Sequence, residues 1–224
     1  MARNMKKLSR TAGLVPGTLV HVGRERAGRP GITVMNYDGA GASEKAIEEV
    51  GGCAAYKKAG TVTWINIDGV HDLDVIREMG REFDIHPLIL EDIPNTAQRP
   101  KLEDMGEYLF IVVKMIYPDE KDPARMNVEQ VSLILGANYV ISFQEEKGDV
   151  FEHVRERIRS GKGRIRGMGA DYLAYSLLDA VIDSYFSILE GLGEKVEALE
   201  EEVSTDPRQE TLQTIHQMKR TNIF

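Results

Sequence analysis

Residues 107–117 have the sequence EYLFIVVKMIY, and the next two apolar segments, Val128–Leu135 (VEQVSLIL) and Tyr139–Gln144 (YVISFQ), have the same character. All three are rich in β-branched and aromatic residues, which favour the extended backbone of a β-strand. The tripeptide at 136–138, GAN, separates the last two segments and predicts a tight hairpin. The middle of the chain therefore predicts the strands of a sheet.

Predicted strands and helices alternate along the rest of the first 169 residues. Short segments of the same composition predict three more strands, at Thr18–Val22, Ile32–Tyr37 and Thr61–Ile67. Helical spacing of apolar residues or a capping serine predicts helices at Ser43–Val50, Asp72–Phe83 and Asp149–Ser160. This alternation predicts an α/β domain at residues 17–169, with a mixed sheet covered by helices, after an irregular basic arm at residues 1–16.

The character of the sequence changes after residue 169. From Asp171 to Val203 there is no proline, and apolar residues recur every three or four positions, which predicts a helix ~50 Å long at 1.5 Å per residue. Asp206 and Pro207 predict the cap and first turn of a new helix. We therefore assign a long helix to residues 170–203 and the start of a helical stalk to residues 204–224. The stalk reaches Phe224 without a stop signal, which favours a truncated chain.

Composition excludes several classes of protein. The formal net charge of −8 argues against a nucleic-acid binder and is compatible with cation binding. The single cysteine, Cys53, excludes an internal disulfide framework and suits a reducing compartment. No segment approaches the ~20 apolar residues of a membrane-spanning helix, so the chain as written is expected to be soluble.

The segment HPLILEDIPNTAQRPK, at residues 86–101, places two adjacent acids at an unfavourable position. Pro87 suits the first turn of a helix and Pro94 ends it about two turns later, so Glu91 and Asp92 fall at its C-terminal end. The helix dipole is negative there and disfavours carboxylates. A positively charged neighbour, either a basic side chain or a metal ion, is the simplest compensation.

A second group of acids lies along the long helix. Asp179 and Asp183 stand one turn apart among apolar residues, whereas the glutamates from Glu190 onward form a stripe that a solvated helix face would also explain. Carboxylates without histidine or cysteine clusters favour a hard cation such as Mg²⁺, Ca²⁺ or Mn²⁺ over zinc or copper. Asp179 and Asp183 are therefore candidate metal ligands, like Glu91 and Asp92.

No pattern in the sequence predicts an enzyme. The five histidines lack the spacing of metal ligands, and the sequence has neither a nucleophile elbow nor a phosphate-binding glycine loop. Cys53 is expected to be a small packed residue and His86 the start of a helix. The basic tract Arg155–Arg166 has three explanations, which stay open: contact with phosphate, an exposed helix end and loop, or pairing with the acids of a neighbouring chain.

Several motifs in the same order resemble the CorA family of magnesium transporters. They are HPLILEDIPNTAQRPK, EYLFIVVKMI, EQVSLILG, DYLAYSLLDAVIDSYF and TIHQMKR, together with PGTLVHVG and TWINIDG near the N-terminus. The resemblance implies a homopentameric channel for divalent cations such as Mg²⁺ and Co²⁺, whose cytosolic domain lies at the cytoplasmic face of the cell membrane. It also implies two C-terminal membrane helices and a Gly-Met-Asn signature, which this sequence does not contain.

The resemblance further implies regulatory Mg²⁺ sites between subunits, with metal ligands at Glu91, Asp92 and Asp179 and a weaker candidate at Asp183. The opposing carboxylate of the family lies beyond Phe224, so each site is expected to be incomplete in this chain. The implied function is feedback, in which intracellular Mg²⁺ favours the closed pore. Two alternatives stay open: a soluble oligomeric scaffold whose acidic stripe meets basic partners, and a zinc-transporting relative of the same architecture.

Overall fold

Seven strands form one mixed sheet in the computed structural model, which describes residues 13–23, 28–58, 60–118, 126–205 and 211–216. The strands are β1 (Gly31–Tyr37), β2 (Ala42–Ile47), β3 (Val62–Asp68), β4 (Lys101–Asp104), β5 (Leu109–Pro118), β6 (Met126–Leu135) and β7 (Tyr139–Gln144). Their order across the sheet is β2-β1-β3-β7-β6-β5-β4, and β3 and β7 run parallel whereas the other neighbours run antiparallel. The predicted α/β fold with a mixed sheet is confirmed.

Several helices accompany the sheet in the described part of the chain. They are α1 (Ala54–Lys57), α2 (Leu73–Phe83), α3 (Pro87–Asp92), α4 (Glu152–Ser160) and α5 (Ala170–Thr205). The long helix predicted after residue 169 is therefore present as α5, with 36 residues. Asp72 starts α2 because its side chain accepts hydrogen bonds from the backbone N–H groups of Asp74 and Val75.

The core lies mainly between the sheet and the helices α2 and α3. Strand β7 is buried along its whole length, as expected for a central strand covered on both faces. Ile76, Met79 and Ile89 pack from the two helices into the same cluster as the apolar residues of β3 and β7. Trp64 of β3 faces the opposite side of the sheet from this cluster, because successive residues of a strand alternate between the two faces. Its ring meets that of Phe151 edge-on, with the ring centroids 5.9 Å apart.

Two predicted elements are wrong. Ser43–Val50 is not a helix, because residues 42–47 form β2 and pair antiparallel with β1. The turn at Asp38, whose carboxylate accepts from the N–H groups of Ala40 and Gly41, reverses the chain and places β2 alongside β1. Thr18–Val22 is not a strand either, since only Val22 makes an isolated parallel bridge, to Asn95.

The chain divides into two compact units, at residues 1–181 and 182–224. In the first unit α5 buries Leu173, Leu177 and Val181. In the second unit residues 211–216 are helical, and Thr211 Oγ1 donates to Glu202 Oε1 at 2.7 Å. The predicted cap at Asp206 and most of the predicted arm at 1–16 lie outside the described residues. Among the residues that the structure describes, no helix is long and apolar enough to cross a membrane.

Candidate metal site

Helix α3 positions the acid pair at its last two residues. The helix begins at His86, whose Nδ1 accepts from the backbone N–H of Leu88 at 3.3 Å, and Pro87 follows in the first turn. His86 therefore starts a helix, as predicted. Its own backbone N–H donates to the Tyr108 hydroxyl at 2.9 Å, which fixes the start of α3 next to the sheet.

The other contact that holds α3 is a close approach to α2. A Cβ added at Gly80 would lie 2.4 Å from Cδ1 of Leu90, far inside van der Waals contact. Glycine at this position therefore lets the buried Leu90 side chain pack directly against the α2 backbone. Ile89 is buried next to Leu90, so Glu91 and Asp92 stand at the end of a helix that is held from both sides.

Asp92 has a basic partner within its own chain. Its Oδ2 lies 2.5 Å from the ammonium nitrogen of Lys101, and its Oδ1 accepts a short hydrogen bond from the Gln98 side chain. The Asp92 backbone carbonyl accepts from Gln130 Nε2 at 3.4 Å. Of the two compensations predicted for an acid at this helix end, the structure places a basic side chain at Asp92.

Glu91 is held by a different kind of group. Its Oε2 accepts from the backbone N–H of Gly17 at 2.6 Å. Gly17 has φ +87°, a left-handed conformation that suits glycine, and a Cβ there would lie 3.2 Å from Cβ of Pro87. The segment before β1 therefore passes close to the start of α3 and supplies a neutral donor to Glu91.

Lys101 binds two carboxylates from its position on β4. Besides Asp92, its Nζ contacts Glu103 Oε1 at 2.7 Å, and it lies 5.5 Å from the centroid of the Phe110 ring. Burial alone would lower the pKa of Lys101, but the hydrogen bonds with Asp92 and Glu103 outweigh it and hold the pKa above its ordinary value. The lysine therefore stays charged beside the two carboxylates.

Asp179 and Asp183 lie one turn apart on α5, and they differ in exposure. Asp179 is half-buried beside Ala180, whereas Asp183 is exposed. Within the described residues, no three side chains of histidine, cysteine, aspartate or glutamate lie together in a way that could hold a metal ion. The structure thus places Glu91 and Asp92 side by side at the end of α3, and Asp179 on α5.

The basic tract Arg155–Arg166 binds partly to acids of the same chain. Arg155 Nη1 lies 2.7 Å from Asp149 Oδ1, and Arg159 Nε lies 2.7 Å from Glu44 Oε2. Arg166 donates to the carbonyl oxygens of Ile158 and Arg159, each at 2.6 Å. These bonds connect α4 to strand β2 and to the loops before and after the helix.

Cys53 has the packing predicted for it. The side chain is buried, and burial raises the pKa of its thiol to about 11, with smaller contributions from Glu82 and Glu78. Such a thiol is protonated at neutral pH and is a poor metal ligand.

Comparison with known proteins decides the family. Residues 59–223 match a family model described as "CorA-like Mg2+ transporter protein". The chain belongs to the CorA family. Over 215 residues it is 49% identical to the cobalt/magnesium transport protein CorA of Thermotoga maritima, a match that covers 96% of this chain and 61% of that protein. The chain thus spans about three fifths of the length of this CorA protein.

Solved structures confirm the fold at much lower sequence identity. The soluble domain of CorA from Methanocaldococcus jannaschii superposes with a TM-score of 0.60 at 16% identity, covering 86% of this chain and 72% of that one. The full-length CmaX protein superposes with a TM-score of 0.68 at 18% identity, covering 86% of this chain and 59% of that one. The predicted resemblance to the CorA family is therefore confirmed, together with the fold that it implied.

Lys101 and Gln98 are the site residues that sequence reasoning missed. Both lie inside the segment 86–101 that drew attention to the acid pair. The four-residue strand β4 was not predicted. Its pairing with β5 brings Lys101 back toward the end of α3.

Proposed function

We propose that this chain is the Mg²⁺-sensing regulatory domain of a CorA-like divalent-cation transporter and that it controls the pore by feedback from intracellular Mg²⁺. The observation that carries the proposal is the position of Glu91 and Asp92, two carboxylates side by side at the end of a rigidly held helix in a chain of this family. The whole protein would be a homopentamer in the cell membrane that carries divalent cations such as Mg²⁺ and Co²⁺, with this domain at the cytoplasmic face.

The chemistry of the donor groups fits Mg²⁺. The four residues are all carboxylates, and Mg²⁺ prefers oxygen ligands and keeps several of its own waters, so that loosely placed acids can bind it. Glu91 and Asp92 would form one side of the site. Asp179 of a neighbouring subunit, with Asp183 as a weaker candidate, would approach from the other side. That no metal site forms within the described part of one chain is consistent with a site shared between copies.

Bound Mg²⁺ would supply positive charge that holds two acidic surfaces together. A site at a ligand concentration equal to its Kd stabilises the binding state by only ~0.4 kcal/mol, and by ~1.4 kcal/mol at ten times the Kd. Moving a two-state equilibrium from 1:99 to 99:1 takes about 5.5 kcal/mol. At ten times the Kd, five such sites in a ring together exceed that free energy, whereas one site does not. This arithmetic favours a sensor repeated around an oligomer.

The test is the Mg²⁺ dependence of ion flux through the full-length protein with Asp92→Ala or Asp92→Asn. We expect the pore to close less completely at high Mg²⁺. Asp84→Asn is the matched control, because Asp84 also pairs with a lysine, Lys57, at 2.5 Å, and asparagine tolerates its left-handed φ of 56°. Unchanged Mg²⁺ dependence in both Asp92 variants would contradict the assignment.

A second measurement separates the sensor from a scaffold without an ion role. Thermal unfolding of the full-length protein is followed while MgCl2 is added, and again with KCl at matched ionic strength. Stabilisation specific to Mg²⁺ supports the sensor. Equal responses to the two salts support the scaffold, because they reflect only general screening of the acidic surface.

A further inference from the structure

We infer that Lys101 is a tethered cation that occupies the Asp92 carboxylate in the absence of Mg²⁺ and leaves it when Mg²⁺ binds, so that Lys101 sets the Mg²⁺ concentration at which the sensor responds. The inference rests on the proposed function, in which Asp92 is a Mg²⁺ ligand.

The ammonium group of Lys101 lies where a cation would bridge two acids. Its Nζ is 2.5 Å from Asp92 Oδ2 and 2.7 Å from Glu103 Oε1. The Lys101 and Asp92 side chains are only 26% and 21% exposed, so this is a shielded pair rather than a loose surface contact. Two oxygens of separate carboxylates thus already share one positive charge.

Both oxygens of Asp92 already accept a hydrogen bond in this arrangement. Gln98 donates to Oδ1, and Lys101 donates to Oδ2. A divalent ion that approaches Asp92 therefore meets a positive charge of the same chain. Since two like charges a few ångströms apart repel even in water, we expect Lys101 to weaken Mg²⁺ binding on the order of tenfold.

Glu91 differs from Asp92 in this respect. Among the described residues its carboxylate accepts from the neutral Gly17 N–H group and forms no ion pair. In the part of the chain that the structure describes, no lysine or arginine has to leave Glu91 when a cation arrives. The two adjacent acids therefore have separate roles: Glu91 keeps its charge available to a cation, and Asp92 joins only when Lys101 is released.

The test compares Lys101→Met with the natural full-length protein by thermal unfolding in MgCl2 and in KCl of matched ionic strength. Methionine retains the length needed to pack on Phe110 and removes the charge. We expect a lower unfolding temperature without Mg²⁺, because Asp92 and Glu103 lose their shared partner. We also expect the Mg²⁺ concentration at half-maximal stabilisation to fall about tenfold. A protein that is less stable without Mg²⁺ but responds to a lower Mg²⁺ concentration indicates that Lys101 competes with the ion. Loss of a residue that only supports the fold would not lower the Mg²⁺ midpoint.

Two control variants separate the effect of charge from the loss of a salt bridge. Lys57→Met breaks the Lys57–Asp84 pair, which has the same 2.5 Å separation, and should keep the natural Mg²⁺ midpoint. Lys101→Arg retains the positive charge and should keep a midpoint near the natural one. A midpoint in Lys101→Met that is equal to or higher than the natural value overturns the inference.

A measurement on the unsubstituted protein covers the case in which Lys101→Met fails to fold. Amine-reactive labelling followed by mass spectrometry should show Lys101 becoming more reactive as Mg²⁺ is added, with Lys57 unchanged. Constant labelling of Lys101, in a protein that Mg²⁺ does stabilise, overturns the displacement while the proposed function stands. If Mg²⁺ stabilises neither the natural protein nor the variant beyond the effect of KCl, the proposed function itself fails, and this inference fails with it.

Discussion

The backbone N–H of Gly17 donates to Oε2 of Glu91 at 2.6 Å, a hydrogen bond between residues 74 positions apart in the sequence. Gly17 adopts φ +87°, and a Cβ added there would lie only 3.2 Å from Cβ of Pro87. The segment before β1 therefore supports the same helix end that carries the candidate metal ligands.

Gly17→Ala should destabilise the protein by about 2 kcal/mol, because a side chain adds left-handed backbone strain and a contact with Pro87. Gly13→Ala is the control, since Gly13 has nearly the same φ, +86°, but no atom within 4 Å of the added Cβ. Urea unfolding measures both. Equal losses in the two variants would show that the contact with Pro87 has no energetic weight.

Gly80→Ala should destabilise the protein by roughly 1–3 kcal/mol, although alanine is the better helix former by about 1 kcal/mol. The reason is the 2.4 Å approach of Leu90 Cδ1, which would force α3 away from α2. Gly191→Ala provides the contrast, because nothing lies within 4 Å of its added Cβ, and it should be neutral or stabilising. Stabilisation by Gly80→Ala in urea unfolding would show that Leu90 can turn aside without cost.

The Asp149–Arg155 pair should make stability depend on pH. Burial alone would raise the pKa of Asp149, but its hydrogen bonds and ion pair with Arg155 outweigh burial and hold the pKa below the ordinary value of 3.8. For an acid with a lowered pKa in the folded state, the stabilisation is complete above the unfolded value and is lost as the pH falls through the folded value.

Asp149→Asn should therefore cost about 3 kcal/mol at neutral pH, and the difference from the natural protein should shrink as the pH falls below 3.8. Glu44→Gln is the matched control, because the Glu44–Arg159 pair is more exposed and should contribute less than about 1 kcal/mol. Urea unfolding across this pH range checks the sign. A difference that is constant with pH would exclude titration of Asp149 as the cause.

Asp179→Asn in the full-length protein should raise the Mg²⁺ concentration needed for thermal stabilisation more than Asp183→Asn does. Asp179 is half-buried on α5 and Asp183 is exposed, and a partly desolvated carboxylate interacts more strongly with a cation. Glu190→Gln, at an exposed acid of the same helix, controls for the loss of one negative charge. An equal shift in all three variants would point to general screening instead of a site.

Elements that depend on contacts between residues close in sequence could be predicted, whereas edge strands that depend on pairing with another strand could not. Asp72 starts α2, and His86 and Pro87 start α3, through contacts within a few residues, so both helices were predictable. Strand β2 was predicted as a helix because its side chains are mostly exposed and polar, and only pairing with β1 makes it a strand. Strand β4, also at an edge of the sheet, was missed because four residues are too few to show a period.

The sequence by itself determined the α/β class, the long helix, the CorA resemblance and the placement of two acids at a helix end. These features depend on residue types, periods and caps that act within one or two helical turns. Only the tertiary structure decided that Asp92 meets Lys101 of β4 and that Glu91 meets Gly17. A carboxylate at a helix end needs a compensating group, but which group reaches it depends on strand register and on chain segments that are distant in sequence.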